Sequence, residues 1–149
     1  MEESVRGGDQ GLRGWGLRSQ EPNRRPSGRG RSRDNLFMNG AEIFNFTLRT
    51  IPACATALLD KAAIDMSAID LFVFHQANKY MLDHLRKKMN IPEQKFLLAL
   101  GHCGNTVSSS IPIALKTAQQ DGRLKSGNVV MLVGFGVGYS WAASLLRWI

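Results

Sequence analysis

Cysteine is scarce in this sequence, with Cys54 and Cys103 the only two among 149 residues. Two thiols cannot form a disulfide framework, and they cannot form a four-ligand zinc site without histidines. Long apolar runs are also missing, since no stretch approaches the ~18 residues of a membrane-spanning helix. The first twenty residues have no apolar core, so we expect no secretory signal. These absences predict a cytoplasmic protein in a reducing setting, with no membrane partner.

Positive charge is abundant but unevenly distributed. The formal net charge is +7, and residues 1–34 contain eight arginines against five acidic residues. This segment has few large apolar side chains, so it cannot bury enough surface to offset the entropy lost on ordering. We therefore expect residues 1–34 to be a flexible Arg/Gly-rich segment or a long loop, and residues 35–149 to form the folded domain. The run 27–31 resembles a short RNA-binding tail, but it lacks repeats and interleaved aromatic residues. Nucleic-acid binding is therefore a minor alternative.

The sequence from Asn39 onward predicts a long helix. Asn39 is a suitable N-cap, and Glu42 three residues later completes a capping-box pattern. Apolar side chains then recur at helical spacing as far as Leu59. Pro52 lies inside this run and is predicted to kink the helix or split it in two, because proline removes a backbone donor.

Strands and helices alternate through the rest of the chain. Predicted strands occupy 70–74, 129–133 and 139–148, predicted helices occupy 78–90 and 106–120, and residues 95–100 read as a strand or its remnant. The order is helix, strand, helix, strand, helix, strand, strand. This order predicts a layered α/β fold in which helices cover a mixed sheet.

His75 ends the first predicted strand and directly precedes a helix, where open α/β sheets place ligands. A structural histidine at a strand–helix junction explains its position equally well. Asn105 lies at the start of the helical region that follows the 95–100 segment, so parallel strands would bring both residues to one sheet edge. Two N–H donors facing one point would form an oxyanion site. The alternative for Asn105 is a turn or N-cap residue.

The glycine run Gly134-x-Gly136-x-Gly138 is similar to a dinucleotide-binding loop. That motif requires a helix after the glycines to hold the pyrophosphate. Aromatic, small and β-branched residues follow instead, which favours a β-turn between two strands whose amides could face a pocket. Cys54 is predicted to be an inert residue on an apolar helix face. Cys103 lies in another glycine turn, where a space-filling role is favoured over an exposed nucleophile.

A series of short motifs runs through residues 35–148. They are Phe37-Met38-Asn39-Gly40-x-Glu42-x-Phe44, His75-Gln76-Ala77-Asn78, Gly104-Asn105-Thr106, Asp121-Gly122-Arg123-x-Lys125-x-Gly127 and Gly134-Phe135-Gly136-x-Gly138-x-x-Trp141. Together they resemble the C-terminal half of a 3-oxoacyl-acyl carrier protein synthase III, in the thiolase-like superfamily. The resemblance implies a thiolase-like layered fold, and a homodimer for the full-length family member.

The resemblance also implies a decarboxylative Claisen condensation in fatty-acid or related biosynthesis, with acyl-CoA and acyl carrier protein (ACP) as partners. A cysteine of the family takes the acyl group from acyl-CoA. His75 and Asn105 would then stabilise the thioester enolate that forms when malonyl-ACP loses CO₂. Two neutral donors suffice for this step, so no metal or other cofactor is implied.

Further roles follow from the same resemblance. Gly134, Phe135 and Gly136 would border the acyl pocket, and Gln76 and Asn78 would serve the substrate site by orienting the loop around His75. Lys87 and Lys88 match the family's basic pair and would meet the acidic carrier protein, with an ordinary solvated helix face as the alternative.

Some features depart from the family. Its nucleophile lies in an N-terminal half, and neither Cys54 nor Cys103 matches it. Phe74 replaces a usual proline, and Tyr80 replaces a frequent basic residue. We therefore expect the chain alone to be inactive as an acyltransferase. The alternative is a non-catalytic fragment or subunit that needs an N-terminal half from another chain.

Overall fold

The structure is a computed structural model that describes residues 38–136 and 138–149. The prediction of a flexible segment at 1–34 falls outside these residues. The main elements, in chain order, are helix α1 (Gly40–Ala62), strand β1 (Leu71–Phe74), helix α2 (Lys79–Lys88), helix α3 (Ser110–Gln120), strand β2 (Val129–Gly136) and strand β3 (Ser140–Arg147). Short 3₁₀ turns occur at Met66–Ala68, Glu93–Lys95 and Val107–Ser109. Among the described residues, no helix combines the length and apolar character needed to cross a membrane.

The three strands form one mixed sheet in the order β1-β2-β3. Strand β1 runs parallel to β2 with Leu71 opposite Val130, and β2 pairs antiparallel with β3. Gly136 lies opposite Ser140, so the glycine run closes a hairpin as predicted, although Gly134 and Gly136 belong to the strand and the turn is correspondingly shorter. The layered α/β fold with a mixed sheet is confirmed.

Helices cover both faces of this sheet because successive strand residues point to opposite sides. Phe72 and Phe74 of β1 join one apolar cluster with residues of α1 and α2. Leu71 and Val73 join a second cluster with α3, where the small side chains of Ala114 and Ala118 allow the helix to approach closely. All four residues of β1 are therefore buried. Burial on both faces explains the uninterrupted apolar run that predicted this strand.

Helix α1 begins as the sequence predicts. The Asn39 side chain accepts a hydrogen bond from the Glu42 backbone N–H at 3.4 Å. The helix continues through Pro52 to Ala62 without a break. Of the two outcomes predicted for Pro52, a kink or a split, the split is therefore wrong.

The segment 95–100 makes a single parallel β-bridge, between Phe72 and Phe96, and is thus the remnant of a strand. Beyond that bridge the Gln76 side chain takes the place of a neighbouring backbone. Its amide nitrogen donates to the carbonyls of Phe74 at 2.7 Å and Leu97 at 3.2 Å, and its oxygen accepts from the Ala99 N–H at 2.8 Å. One buried amide therefore satisfies backbone groups that a strand ladder would otherwise pair.

Replacing Gln76 with leucine should lower the free energy of unfolding by about 1–3 kcal/mol, because it leaves buried backbone groups without partners. Urea unfolding of the purified chain measures this change. Gln120→Leu, at an exposed position at the end of α3, is the control. Equal stabilities for the two variants would contradict the role given to Gln76.

Candidate functional site

A cavity of about 750 Å³ lies where the N-terminal ends of the three α-helices meet the β2–β3 hairpin. Its walls include both polar and apolar residues from these elements, namely Ile43, His75, Asn78, Met81, Asn105, Val107, Ser110, Ile111, Gly134, Phe135, Gly136 and Trp141. The two candidate donors, His75 and Asn105, thus share one cavity although thirty residues separate them in sequence. They meet there because each follows a segment that runs parallel in the sheet or bridges to it.

His75 is held where β1 ends. Its backbone N–H donates to the Val133 carbonyl at 2.8 Å, and its ring makes a T-shaped contact with Phe135 at a centroid separation of 5.4 Å. The ring nitrogen Nδ1 lies 2.7 Å from Ser110 Oγ. Burial lowers the pKa of the imidazole below its ordinary value of 6.5, while a hydrogen bond with the Val107 backbone acts in the opposite direction. Because burial dominates, the imidazole is neutral at pH 7.

Asn105 is oriented by a short turn. Its side-chain oxygen accepts a hydrogen bond from the Val107 backbone N–H at 2.9 Å. Since only the oxygen can accept, this bond fixes which way the amide faces and leaves the NH₂ group available to the cavity. The turn role that the sequence left open is therefore present, and it is compatible with a donor role.

Val107 has a left-handed backbone conformation, with φ of 55°. This conformation is uncommon for a β-branched residue and costs about 1–3 kcal/mol. The surrounding turn holds it in place, since the Val107 N–H donates to Asn105 and the Val107 carbonyl accepts from the Ser110 N–H. The strain therefore lies in the loop that presents Asn105.

The remaining expected site residues divide into two groups. Gly134, Phe135, Gly136 and Asn78 line the cavity, and the Asn78 side chain also caps α2 by accepting from the Met81 N–H at 2.9 Å. Gln76 does not line the cavity, because its side chain is 2% exposed and hydrogen-bonds to the backbone of β1 and of the 95–100 segment.

Lys87 and Lys88 are exposed at the far end of α2 from Asn78 and do not line the cavity either. Neither cysteine reaches it: Cys103 is exposed and contacts the Ala99 carbonyl with its sulfur at 3.7 Å, and Cys54 is half-buried in α1.

Sequence reasoning missed Ser110 as a partner of His75. In the sequence it is one of three consecutive serines, Ser108 to Ser110, at the start of a predicted helix. Of these only Ser110 is buried, with 2% exposure. No pattern in the sequence separates it from its neighbours, because its role depends on contact with a strand end more than thirty positions away.

Comparisons with known proteins show the family and the fold of the chain. Residues 59–148 match the family model described as 3-oxoacyl-[acyl-carrier-protein (ACP)] synthase III C terminal. A crystal structure of a 3-oxoacyl-(acyl-carrier-protein) synthase III superposes with a TM-score of 0.81 and 49% identity, covering 89% of this chain and 40% of that one. A β-ketoacyl-ACP synthase III from Thermus thermophilus gives a TM-score of 0.76 and 38% identity, covering 85% and 39%. The fold is thus thiolase-like.

Curated relatives identify the family. β-Ketoacyl-[acyl-carrier-protein] synthase III from Synechocystis is 39% identical over 113 residues, which is 76% of this chain and 34% of the relative. The protein of the same name from Clostridium tetani is 42% identical over 118 residues, or 78% and 35%. The chain belongs to the β-ketoacyl-ACP synthase III family, and it spans about a third of the length of these relatives.

The lowered pKa of His75 predicts a pH-dependent stability. In the unfolded chain this imidazole binds a proton near pH 6.5, whereas burial resists protonation in the folded chain. Below that pH the unfolded state therefore binds more protons. The free energy of unfolding should fall as the pH is lowered from 7 through 6.5 towards the folded-state pKa.

Urea unfolding at a series of pH values measures this contribution as the difference between wild type and His75→Gln. The free energy of unfolding of wild type minus that of His75→Gln should decrease steadily as the pH falls. Parallel pH curves for the two proteins would show that the ring is not protected from protonation.

Proposed function

We propose that this chain supplies the enolate-stabilising part of a β-ketoacyl-ACP synthase III acting in fatty-acid or related biosynthesis, with His75 and Asn105 as its two donors. The observation that carries the proposal is that both side chains line one cavity. Asn105 has its oxygen engaged and its NH₂ group free, and His75 is neutral. Neutral N–H donors directed at a developing oxyanion are the electrostatic device of acyl-transfer sites.

The proposed reaction begins with malonyl-ACP. Loss of CO₂ leaves the electron pair of the broken carbon–carbon bond on the thioester, with negative charge on the carbonyl oxygen. Hydrogen bonds from His75 and Asn105 stabilise that oxygen. The enolate carbon then attacks an acyl-thioester carbonyl, forms a carbon–carbon bond and expels the thiolate, which gives 3-oxoacyl-ACP.

The cavity walls suit this chemistry. Ile43, Met81, Ile111 and Phe135 give it a largely apolar lining, which limits competition from water for the donors. A Cβ added at Gly136 would meet no atom within 4 Å, and one at Gly134 would meet only Ile111, at 4.0 Å. The two glycines therefore leave open space at this wall, where the acyl chain or the pantetheine arm of the substrate could pass.

The acyl-carrying thiol is proposed to come from a second polypeptide segment. Both cysteines of this sequence lie among the described residues, and neither lines the cavity. The chain alone should therefore not complete the condensation. A homodimer of the complete enzyme stays a prediction.

Complementation with a separately expressed partner tests the donors. The N-terminal part of the Synechocystis synthase, which precedes the matched segment, would be mixed with this chain, acyl-CoA and malonyl-ACP. We expect 3-oxoacyl-ACP from the mixture and none from this chain alone. His75→Ala and Asn105→Ala should each lower kcat by about 10²–10³-fold, the cost of removing one oxyanion donor.

His102→Ala is the matched control, because His102 is exposed in the Asn105 loop and does not line the cavity. Wild-type turnover by His75→Ala would contradict the donor assignment. A stable complex with no activity would favour the alternative of a non-catalytic subunit.

Carrier-protein docking is proposed at the basic end of α2. Lys87 and Lys88 are exposed there, and exposed charges steer acidic partners with a strong dependence on salt. In the complemented enzyme, Lys87→Glu with Lys88→Glu should raise KM for malonyl-ACP severalfold at low salt and leave kcat nearly unchanged. Lys116→Glu, at an exposed position on α3, is the control. A KM for malonyl-ACP that matches the control at every salt concentration would rule out this docking surface.

A further inference from the structure

We propose that Ser110 is a positioning residue that fixes the tautomer of His75. It keeps Nδ1 unprotonated, so that the ring proton is on Nε2 and can be donated to an oxyanion in the cavity. The inference deepens the proposed function and rests on it, because a neutral imidazole can donate to an oxyanion only from the nitrogen that carries its proton.

The Ser110 hydroxyl lies between two polar groups. Its hydroxyl oxygen accepts from the Gln76 backbone N–H at 3.2 Å and lies 2.7 Å from His75 Nδ1. The residue is 2% exposed, so its hydroxyl proton has little access to water. A buried hydroxyl that only accepted would leave its own proton without a partner, which is costly.

The hydroxyl proton is therefore directed at His75 Nδ1. An Nδ1 that accepts this proton cannot carry one of its own, so the neutral ring is protonated at Nε2. The Gln76 N–H contributes by occupying an acceptor position on the serine oxygen. The Gln76 backbone N–H and the Ser110 hydroxyl together determine which ring nitrogen of His75 is the donor.

A competing influence comes from contact of the ring with the Val107 backbone, which favours the protonated imidazole. If that contact took a proton from Nδ1, Ser110 would act only as an acceptor and the tautomer would be reversed. The two arrangements differ in a property that can be observed directly, namely which ring nitrogen carries hydrogen.

Long-range ¹H–¹⁵N spectra of the ¹⁵N-labelled chain at neutral pH report this property. The sequence has three histidines, and the signals of His75 are those lost in His75→Gln. We expect an unprotonated, pyridine-type Nδ1 and a protonated, pyrrole-type Nε2. Ser110→Ala should shift the tautomer ratio towards Nδ1–H by roughly fivefold, the effect of losing one neutral hydrogen bond. Ser110→Thr keeps the hydroxyl and should retain the wild-type pattern.

Ser109→Ala, one residue away at an exposed position, is the control and should leave the spectrum unchanged. A protonated Nδ1 in wild type, or a Ser110→Ala spectrum identical to wild type, would overturn the proposal. If Ser110→Ala does not fold, the wild-type and Ser110→Thr spectra decide, since Nδ1–H in either one refutes it. The spectra are read on this chain alone, so their outcome is separate from that of the complementation assay.

Discussion

The arrangement of the site depends on one buried residue, Gln76. Its side chain joins the end of β1 to Leu97 and Ala99, and its backbone N–H reaches Ser110 on α3. These bonds connect the element that carries His75 to the segment that leads into the Asn105 loop. Burial raises the cost of breaking them, because the Gln76 amide is 2% exposed and cannot turn to water. The two candidate donors therefore keep their relative position.

Electrostatics at the site follow from the same burial. A cavity with apolar walls disfavours the charged imidazole and lowers the pKa of His75. The same low polarity strengthens any hydrogen bond that a neutral donor makes there. A site that leaves histidine uncharged is thus also one in which uncharged donors are effective. The strained turn at Val107 contributes because its N–H donates to the Asn105 oxygen, which leaves the NH₂ group for the cavity.

Much of the fold could be predicted because its signals are local. Asn39 and Asn78 cap helices with their own side chains, and the apolar run at β2 reflects burial on both faces of the sheet. The 95–100 segment was ambiguous, since its apolar composition suits a strand but Gln76 takes the bonds that a full ladder would use. Pro52 was overestimated as a helix breaker because α1 packs firmly on the sheet on both sides of it.

The site itself was less accessible from sequence. Motifs identified His75 and Asn105, but they reach one cavity only because β1 and the bridged 95–100 segment run parallel and end at the same edge. Ser110 carried no signal, because a serine in a helix start is common and its partner lies on another element. Tertiary contact, and not local pattern, brings these residues together.

A double-mutant cycle in the complemented enzyme shows whether His75 and Asn105 act on one oxyanion. Donors that serve the same charge act as a unit, so their losses are strongly non-additive. We expect the fold-decrease in decarboxylation rate for His75→Ala combined with Asn105→Ala to be far smaller than the product of the two single fold-decreases. A double variant whose fold-decrease equals that product would show that the two residues act independently, which would contradict their action on one oxyanion.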